Sequence, residues 1–275
     1  AVGTRPELNS AEIPLIPKRR YTYMDEYFMH TGKRAKDMMR NSASCQVSID
    51  YCDEQDFVKK YRAANLLSPL FALMMDTSEQ KRGRYLERMQ IWEAVDKQRT
   101  GVMPSIFDDG FGFYAYGEYV AGIPAIFMPD AEGGHDTGKV TMGELAKRYP
   151  LDSERIAHYI SMIFPVVRAK DYIEIRPADS VEPAYVYGYC RLIQDIFYQT
   201  GIVEEIFYLF LLSCKIARQA GKCKDRIITA RGTKNFGLYS FYPATDANSH
   251  PCSSAPRRYF HVPALPVPIR NSKCP

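Results

Sequence analysis

The chain has 275 residues, 46% hydrophobic and 25% charged, which excludes collagen-like, coiled-coil and wholly disordered chains and implies one large domain or two modest ones. Its 36 basic and 32 acidic residues leave a net charge of +4, too balanced to mark a nucleic-acid surface. The 7 cysteines contain no C-x-x-C and no signal peptide is visible, so reduced thiols in a cytoplasm are expected.

The opening AVGTRPELNSAEIP begins at Ala1 and reads as loop, so a native start that has been removed is expected. In KRRYTYMDEYF, Tyr21, Met24, Tyr27 and Phe28 recur at helical spacing, and Gly32 ends the helix. The basic run Lys33, Arg34, Lys36 and Arg40 reads as a solvated face. Residues 43–51 alternate with period two: Cys45, Val47, Ile49 and Tyr51 on one face, Ser44, Gln46, Ser48 and Asp50 on the other. The polar face carries short hydrogen-bonding groups, which suits a polar cavity. Asp53 to Asp56 offer caps for a helix reaching Asp76, with Pro69 kinking or dividing it. Residues 77–84 read as a loop.

Arg88–Trp92 reads as a strand with Arg88, Gln90 and Trp92 on one face, and residues 97–101 as a turn carrying two cations. Gly110 and Gly112 permit unusual backbone angles but form no G-x-G-x-x-G, and no P-loop exists. A nucleotide would therefore be held by side chains and metal. Residues 122–128 read as a short strand, 130–139 as a surface loop, and Asp152 as the cap of a helix reaching Phe164. Residues 171–176 read as a strand with Tyr172, Glu174 and Arg176 on one face. Pro183 opens a helix to Tyr198. The longest apolar run, at residues 206–212, falls far short of the roughly 20 residues that span a bilayer, so no membrane is expected.

If the strands at 43–51 and 171–176 share a sheet, one face gathers Glu174, Arg176, Gln46 and Ser48. A carboxylate can hold Mg²⁺ and a guanidinium can clamp a phosphate or carboxylate at two points, which suits phosphoryl transfer. A cross-strand salt bridge on a solvated sheet is the commoner outcome of the same spacing. Arg88, Lys97 and Arg99 form a second cationic group, for which a solubilising loop is an equal reading. Asp108 and Asp109 read either as paired carboxylates or, more commonly for Phe-Asp-Asp-Gly, as a turn. The five histidines form no metal spacing.

The stretches IPKRRYTYMDEYF, DMMRNSASCQVSIDY, RMQIWEAVDKQRTG, FDDGFGFYAYGEYVAGIPAIFM and FPVVRAKDYIEIRPAD resemble, in order and spacing, glutamate–cysteine ligases of the plant and proteobacterial type, over residues 3–199. The resemblance implies an α+β fold related to glutamine synthetase, with a curved antiparallel sheet, a polar concave face and helices outside. It implies that ATP phosphorylates the glutamate side chain and that the cysteine amine displaces the phosphate, with Mg²⁺ or Mn²⁺ as cofactor. Position by position, Glu174 resembles a metal ligand, Arg176 its partner on the transferred phosphate, and Gln46 a metal- or phosphate-facing group. Arg88 resembles a substrate-carboxylate arginine, Arg99 a weaker member of that class, and Tyr21 and Met39 pocket-flanking residues. Glutamate, cysteine and ATP are the partners implied, and a homodimer is among the expectations.

The chain departs from the family in three places. No G-x-E-x-E strand precedes Ala1, so the sheet is expected to be incomplete and short of metal ligands. Residues 77–85 are also shorter than the family's. From about residue 202 the resemblance ends. Residues 1–201 are therefore read as a portion of the catalytic domain and 202–275 as an atypical tail, disordered or unselected. A ligase with another amine acceptor and a non-catalytic remnant that binds nucleotide or a protein are the rival readings. A nucleic-acid module, suggested by residues 33–40, ranks third.

Overall fold

The structure, a computed structural model, describes residues 1–79, 83–129, 135–136 and 138–219. Its centre is an antiparallel sheet of three short strands in the order β1 (Val47–Ile49), β5 (Ile173–Ile175), β4 (Val167–Ala169). β1 sets Val47 opposite Ile175 and Ser48 opposite Glu174, while β4 sets Arg168 opposite Glu174. The alternation in the sequence thus becomes two faces. Val47, Ile49, Val167, Ala169, Ile173 and Ile175 are buried on one, each of the larger aliphatics contributing about 1.5–3 kcal/mol by burial. Arg168, Glu174 and Ser48 line the other.

Helix α3 (Glu54–Met74) packs against β4 and β5. Its buried stripe includes Phe57, Tyr61, Ala64 and Phe71, and the Tyr61 hydroxyl donates to the Val167 carbonyl at 2.8 Å. Asp53 caps it by accepting from the Asp56 amide. Of the two outcomes expected at Pro69, a kink or a division, division does not occur: the helix runs on through Met74 with Pro69 inside it. Pro69 has no amide to give to the helix ladder, and the apolar stripe stays buried on both sides of it, at Ala64 and at Phe71.

Helix α1 (Arg19–Thr31) buries Met24 and Phe28, and α2 (Ala35–Arg40) follows directly. Gly32 follows α1 in extended conformation, and no side chain fits there: a Cβ would lie 2.1 Å from the Ala94 carbonyl oxygen and 2.2 Å from that of Val95. The basic run is not a solvated face throughout. Arg34 pairs with Asp37 at 2.8 Å and Glu87 at 2.7 Å, and Arg40 pairs with Asp25 at 2.5 Å, so both tie α2 to its neighbours.

Residues 88–92 are helical, not a strand, within α4 (Glu87–Glu93). Arg88 and Ile91 share its buried face at helical spacing. The helix start is fixed from outside: the Asp76 carboxylate accepts from the Leu86 amide and the Ser78 hydroxyl from the Glu87 amide. No local capping residue signals it. The turn expected at 97–101 is the short helix α5 (Lys97–Thr100), capped by Asp96. Helix α6 (Phe113–Gly122) extends into the strand expected at 122–128, of which only β2 (Phe127–Met128) remains, paired with β3 (His135–Asp136) inside the expected loop.

A capping box on Thr141 and Glu144 starts α7 (Met142–Arg148). Helix α8 (Ser153–Ile160) is capped by Asp152 but stops short of Phe164, because the Arg99 side chain and backbone take the Met162 carbonyl and Phe164 amide. Helix α9 (Pro183–Tyr198) matches its predicted bounds. Gly201, at φ +87°, then admits α10 (Ile202–Gln219), which packs on α3 and α9. The remainder of the tail, 220–275, lies outside the described residues. No single described helix is long and apolar enough to cross a membrane.

Arg99 ties four segments together with no exposed surface. It donates to Asp96 at 3.0 Å, the Met162 carbonyl at 2.8 Å, the Tyr27 hydroxyl at 2.8 Å and the Pro124 carbonyl at 2.6 Å. Replacing it by methionine leaves these acceptors unpaired, so Arg99→Met should cost about 3–5 kcal/mol in urea unfolding; an unchanged midpoint would contradict this role. Gly32→Ala should also lower the midpoint, by about 1–3 kcal/mol, because two carbonyls must move.

Candidate functional site

The polar face of the sheet is built by the hairpin of β4 and β5. The turn at 170–172, closed by the Lys170 amide donating to the Tyr172 carbonyl at 2.8 Å, places Arg168 opposite Glu174. Period two then sets Lys170 and Arg176 on that same face. Continuing the β1 register by one residue sets Gln46 opposite Arg176.

Glu174 lies at the centre and is 6% exposed. Its Oε2 accepts from Arg168 Nε at 2.9 Å and from Arg176 Nη1 at 2.6 Å. Arg168 Nη2 lies 2.7 Å from the same oxygen, and Lys170 Nζ lies 3.0 Å from Oε1. Arg176 Nη1 also donates to Gln46 Oε1 at 3.1 Å, and its guanidinium carbon lies 5.9 Å from the centre of the Trp92 ring. Three cations thus surround one carboxylate, leaving a local charge of +2.

Burial alone would raise the Glu174 pKa, but the charges of Arg176 and Arg168 and the contact with Lys170 outweigh it and hold the carboxyl at about 2. Burial, then the like charge of Arg168, lowers the Arg176 guanidinium to about 10 despite Glu174. Both groups are charged at neutral pH. Arg20, on α1, completes the surroundings. Burial lowers its pKa, with Tyr21 opposing and the Arg168 charge adding to the fall.

The sequence-predicted residues divide into two sets. Glu174, Arg176 and Gln46 meet as their alternation implied. Arg88, 4% exposed, turns instead to the protein: Nε donates to Asp179 at 2.8 Å, and Nη2 to the carbonyls of Arg176, Pro177 and Ala178. It fixes the chain as it leaves β5 and touches Arg176 through its backbone. Arg99 is consumed by the contacts described above. Tyr21 sits beside Arg20, and Met39 is half-buried against the core. Asp108 and Asp109 lie in the turn before α6, where Arg62 holds the Asp108 carbonyl at 2.8 Å.

Arg168 and Lys170 were missed. The signal for them was present: VRAKDYIEIR alternates on both sides of Lys170-Asp171, and a tight turn there puts Arg168 across from Glu174. Trp92 was not among the predicted site residues; α4 carries its ring to the Arg176 guanidinium, a contact between segments far apart in sequence.

The arrangement fits an anion with several oxygens. It does not by itself fit a divalent cation, which takes about six oxygens. Glu174 is already held by three cations, and no group of three or more His, Cys, Asp or Glu among the described residues could hold a metal ion. Mg²⁺ or Mn²⁺ here would need oxygens beyond Glu174 and Gln46.

A family model described as glutamate-cysteine ligase family 2 (GCS2) matches residues 1–197. The chain is 34% identical over 189 residues to a chloroplastic glutamate–cysteine ligase of Medicago truncatula, covering 65% of this chain and 37% of that protein. The corresponding enzyme of Arabidopsis thaliana is 35% identical over 189 residues, with 36% of it covered, and glutamate–cysteine ligase A of Oryza sativa subsp. japonica is 33% identical, with 38% covered. The chain thus spans a little over a third of the length of these relatives, and the hairpin that carries Arg168, Lys170, Glu174 and Arg176 lies within the family match. The chain belongs to glutamate–cysteine ligase family 2.

Proposed function

We propose that this chain contributes the phosphate-facing part of a glutamate–cysteine ligase, which joins the glutamate side chain to the cysteine amine through a γ-glutamyl phosphate formed from ATP. The observation that carries the reading is the cationic face of the β1-β5-β4 sheet, with Arg168, Lys170 and Arg176 around Glu174. Attack on a phosphoryl group spreads negative charge over its oxygens, and fixed cations in a nearly buried place stabilise that charge without having to reorganise. Arg176 faces the transferred phosphate in this reading. Its planar group is held by Gln46, Glu174 and the Trp92 ring, so its remaining donors point in a set direction. Arg168 and Lys170 extend the same charge along the hairpin.

Arg176→Lys keeps the charge and loses the fork. In the full-length gene product, γ-glutamylcysteine formation from ATP, glutamate and cysteine should fall by at least about a hundredfold in kcat, a loss of roughly 2.7 kcal/mol in barrier lowering. An unchanged kcat would overturn the assignment of Arg176.

The charged state that this reading requires has a stability signature. The folded pKa of Glu174, about 2, lies below its unfolded value of about 4.3. The unfolded state therefore binds the proton first, and stability from this carboxylate is complete above about pH 5 and fades as pH falls toward 2, by an amount on the order of 3 kcal/mol. Urea unfolding of the wild-type chain and of Glu174→Gln should show a stability gap that narrows across that window. A gap that stays constant from pH 6 to pH 2.5 would mean that Glu174 is not ionised in the cluster.

A further inference from the structure

Resting on that reading, we propose that Arg168, Lys170 and Arg176 form a binding site for polyphosphate anions that requires no divalent cation, and that the Glu174 carboxylate fills this site when no anion is bound. The geometry is that of a ligand in its site. Glu174 presents two oxygens, one to Lys170 Nζ and one shared by Arg168 and Arg176, at 2.6–3.0 Å. A phosphate group offers more oxygens in a similar span, and guanidinium groups bind carboxylate and phosphate by the same two-point contact. One carboxylate does not balance three cations, and two like-charged guanidinium groups converge on a single oxygen. Lys170, with a quarter of its side chain exposed, forms the open edge of the cluster.

The consequence concerns order. A free divalent cation approaching Glu174 meets three positive groups within 3.0 Å of its oxygens and would have to displace them. An incoming polyphosphate meets attraction instead. As it draws Arg168, Lys170 and Arg176 to its own oxygens, it releases the Glu174 carboxylate. Glu174 is therefore a competitor of the anion as long as no metal is present, and its removal should tighten metal-free binding rather than weaken it.

The test is calorimetric titration of the purified chain with tripolyphosphate and, separately, with ATP, in EDTA at low salt. Glu174→Gln should bind tripolyphosphate about tenfold more tightly than wild type, the value of one charged hydrogen-bond set. Glu174→Asp, which keeps the charge, should stay closer to wild type. Lys170→Gln should weaken binding about tenfold in the otherwise wild-type chain, an arm that stands even where Glu174→Gln fails to fold. The same effects of Glu174→Gln and Lys170→Gln on ATP as on tripolyphosphate would show that this cluster reads the phosphates of both; ATP affinity that neither variant changes would show that the nucleoside alone supplies it and would overturn the site as drawn. Wild-type or weaker tripolyphosphate affinity in folded Glu174→Gln would overturn it too, as would no effect of Lys170→Gln. Titration with Mg·ATP in the same series separates the two ideas. No binding of Mg·ATP by the full-length gene product overturns the ligase reading, whereas Mg·ATP binding together with no gain for Glu174→Gln in the metal-free titration overturns only the competition by Glu174.

Discussion

A buried carboxylate is costly unless its charge is met, and on this sheet Glu174 is met three times. All four charged groups come from nine residues, 168–176, of a single hairpin. Their grouping needs only the turn at 170–172 and the period of two. The charge set is therefore local in sequence, while its placement is not. The apolar face of the same hairpin is fixed by α3, and its exit by Arg88. The cluster keeps its spacing because neither strand can slip: a shift of one residue would bring Ile173 and Ile175 to the polar face and the ions into the core.

Two other buried arginines organise backbone. Arg99 collects acceptors from α1, the Asp96 cap, the segment before β2 and the end of α8, and Arg88 collects three consecutive carbonyls and the Asp179 carboxylate. Buried carbonyls in irregular chain need donors, and one guanidinium supplies several in a fixed plane. Asp179 extends the second set to the N-terminal segment, since its other oxygen accepts from the Thr77 amide and hydroxyl, and Thr77 in turn accepts from the Gly3 amide.

The legible parts of the sequence were those in which local pattern and tertiary environment agree. β1 and β5 showed clean alternation, α9 opened on Pro183, and α1 carried an apolar stripe, so each was placed correctly in kind. The meeting of Gln46, Glu174 and Arg176 followed from the alternation alone once the strands were paired. Helix α4 was not legible, because its start is capped from Asp76 and Ser78, nine or ten residues upstream, and its first buried residue is an arginine. That arginine and Arg99 were read by charge as anion binders. The anions they meet are carboxylates of the chain itself, Asp179 for Arg88 and Asp96 for Arg99, and their other partners include carbonyls 25 to 90 residues away, which no spacing rule reveals.

Arg88 still bears on the polar face, through position. Its Nη2 donates at 3.1 Å to the carbonyl of Arg176, the residue whose own guanidinium holds Gln46 and Glu174. The backbone of Arg176 is thus bound on one side by the sheet and on the other by Arg88, and its side chain leaves from a point with little freedom. The like charge of Arg88 adds, after burial and Arg168, to the lowering of the Arg176 pKa, yet a value of about 10 leaves the group protonated at neutral pH. The tension between three neighbouring arginines is borne because Asp179 neutralises one of them and Glu174 serves the other two. A cationic face assembled in this way is held by anions of the protein itself, and it stays electropositive because there are two fewer of them than the charge requires.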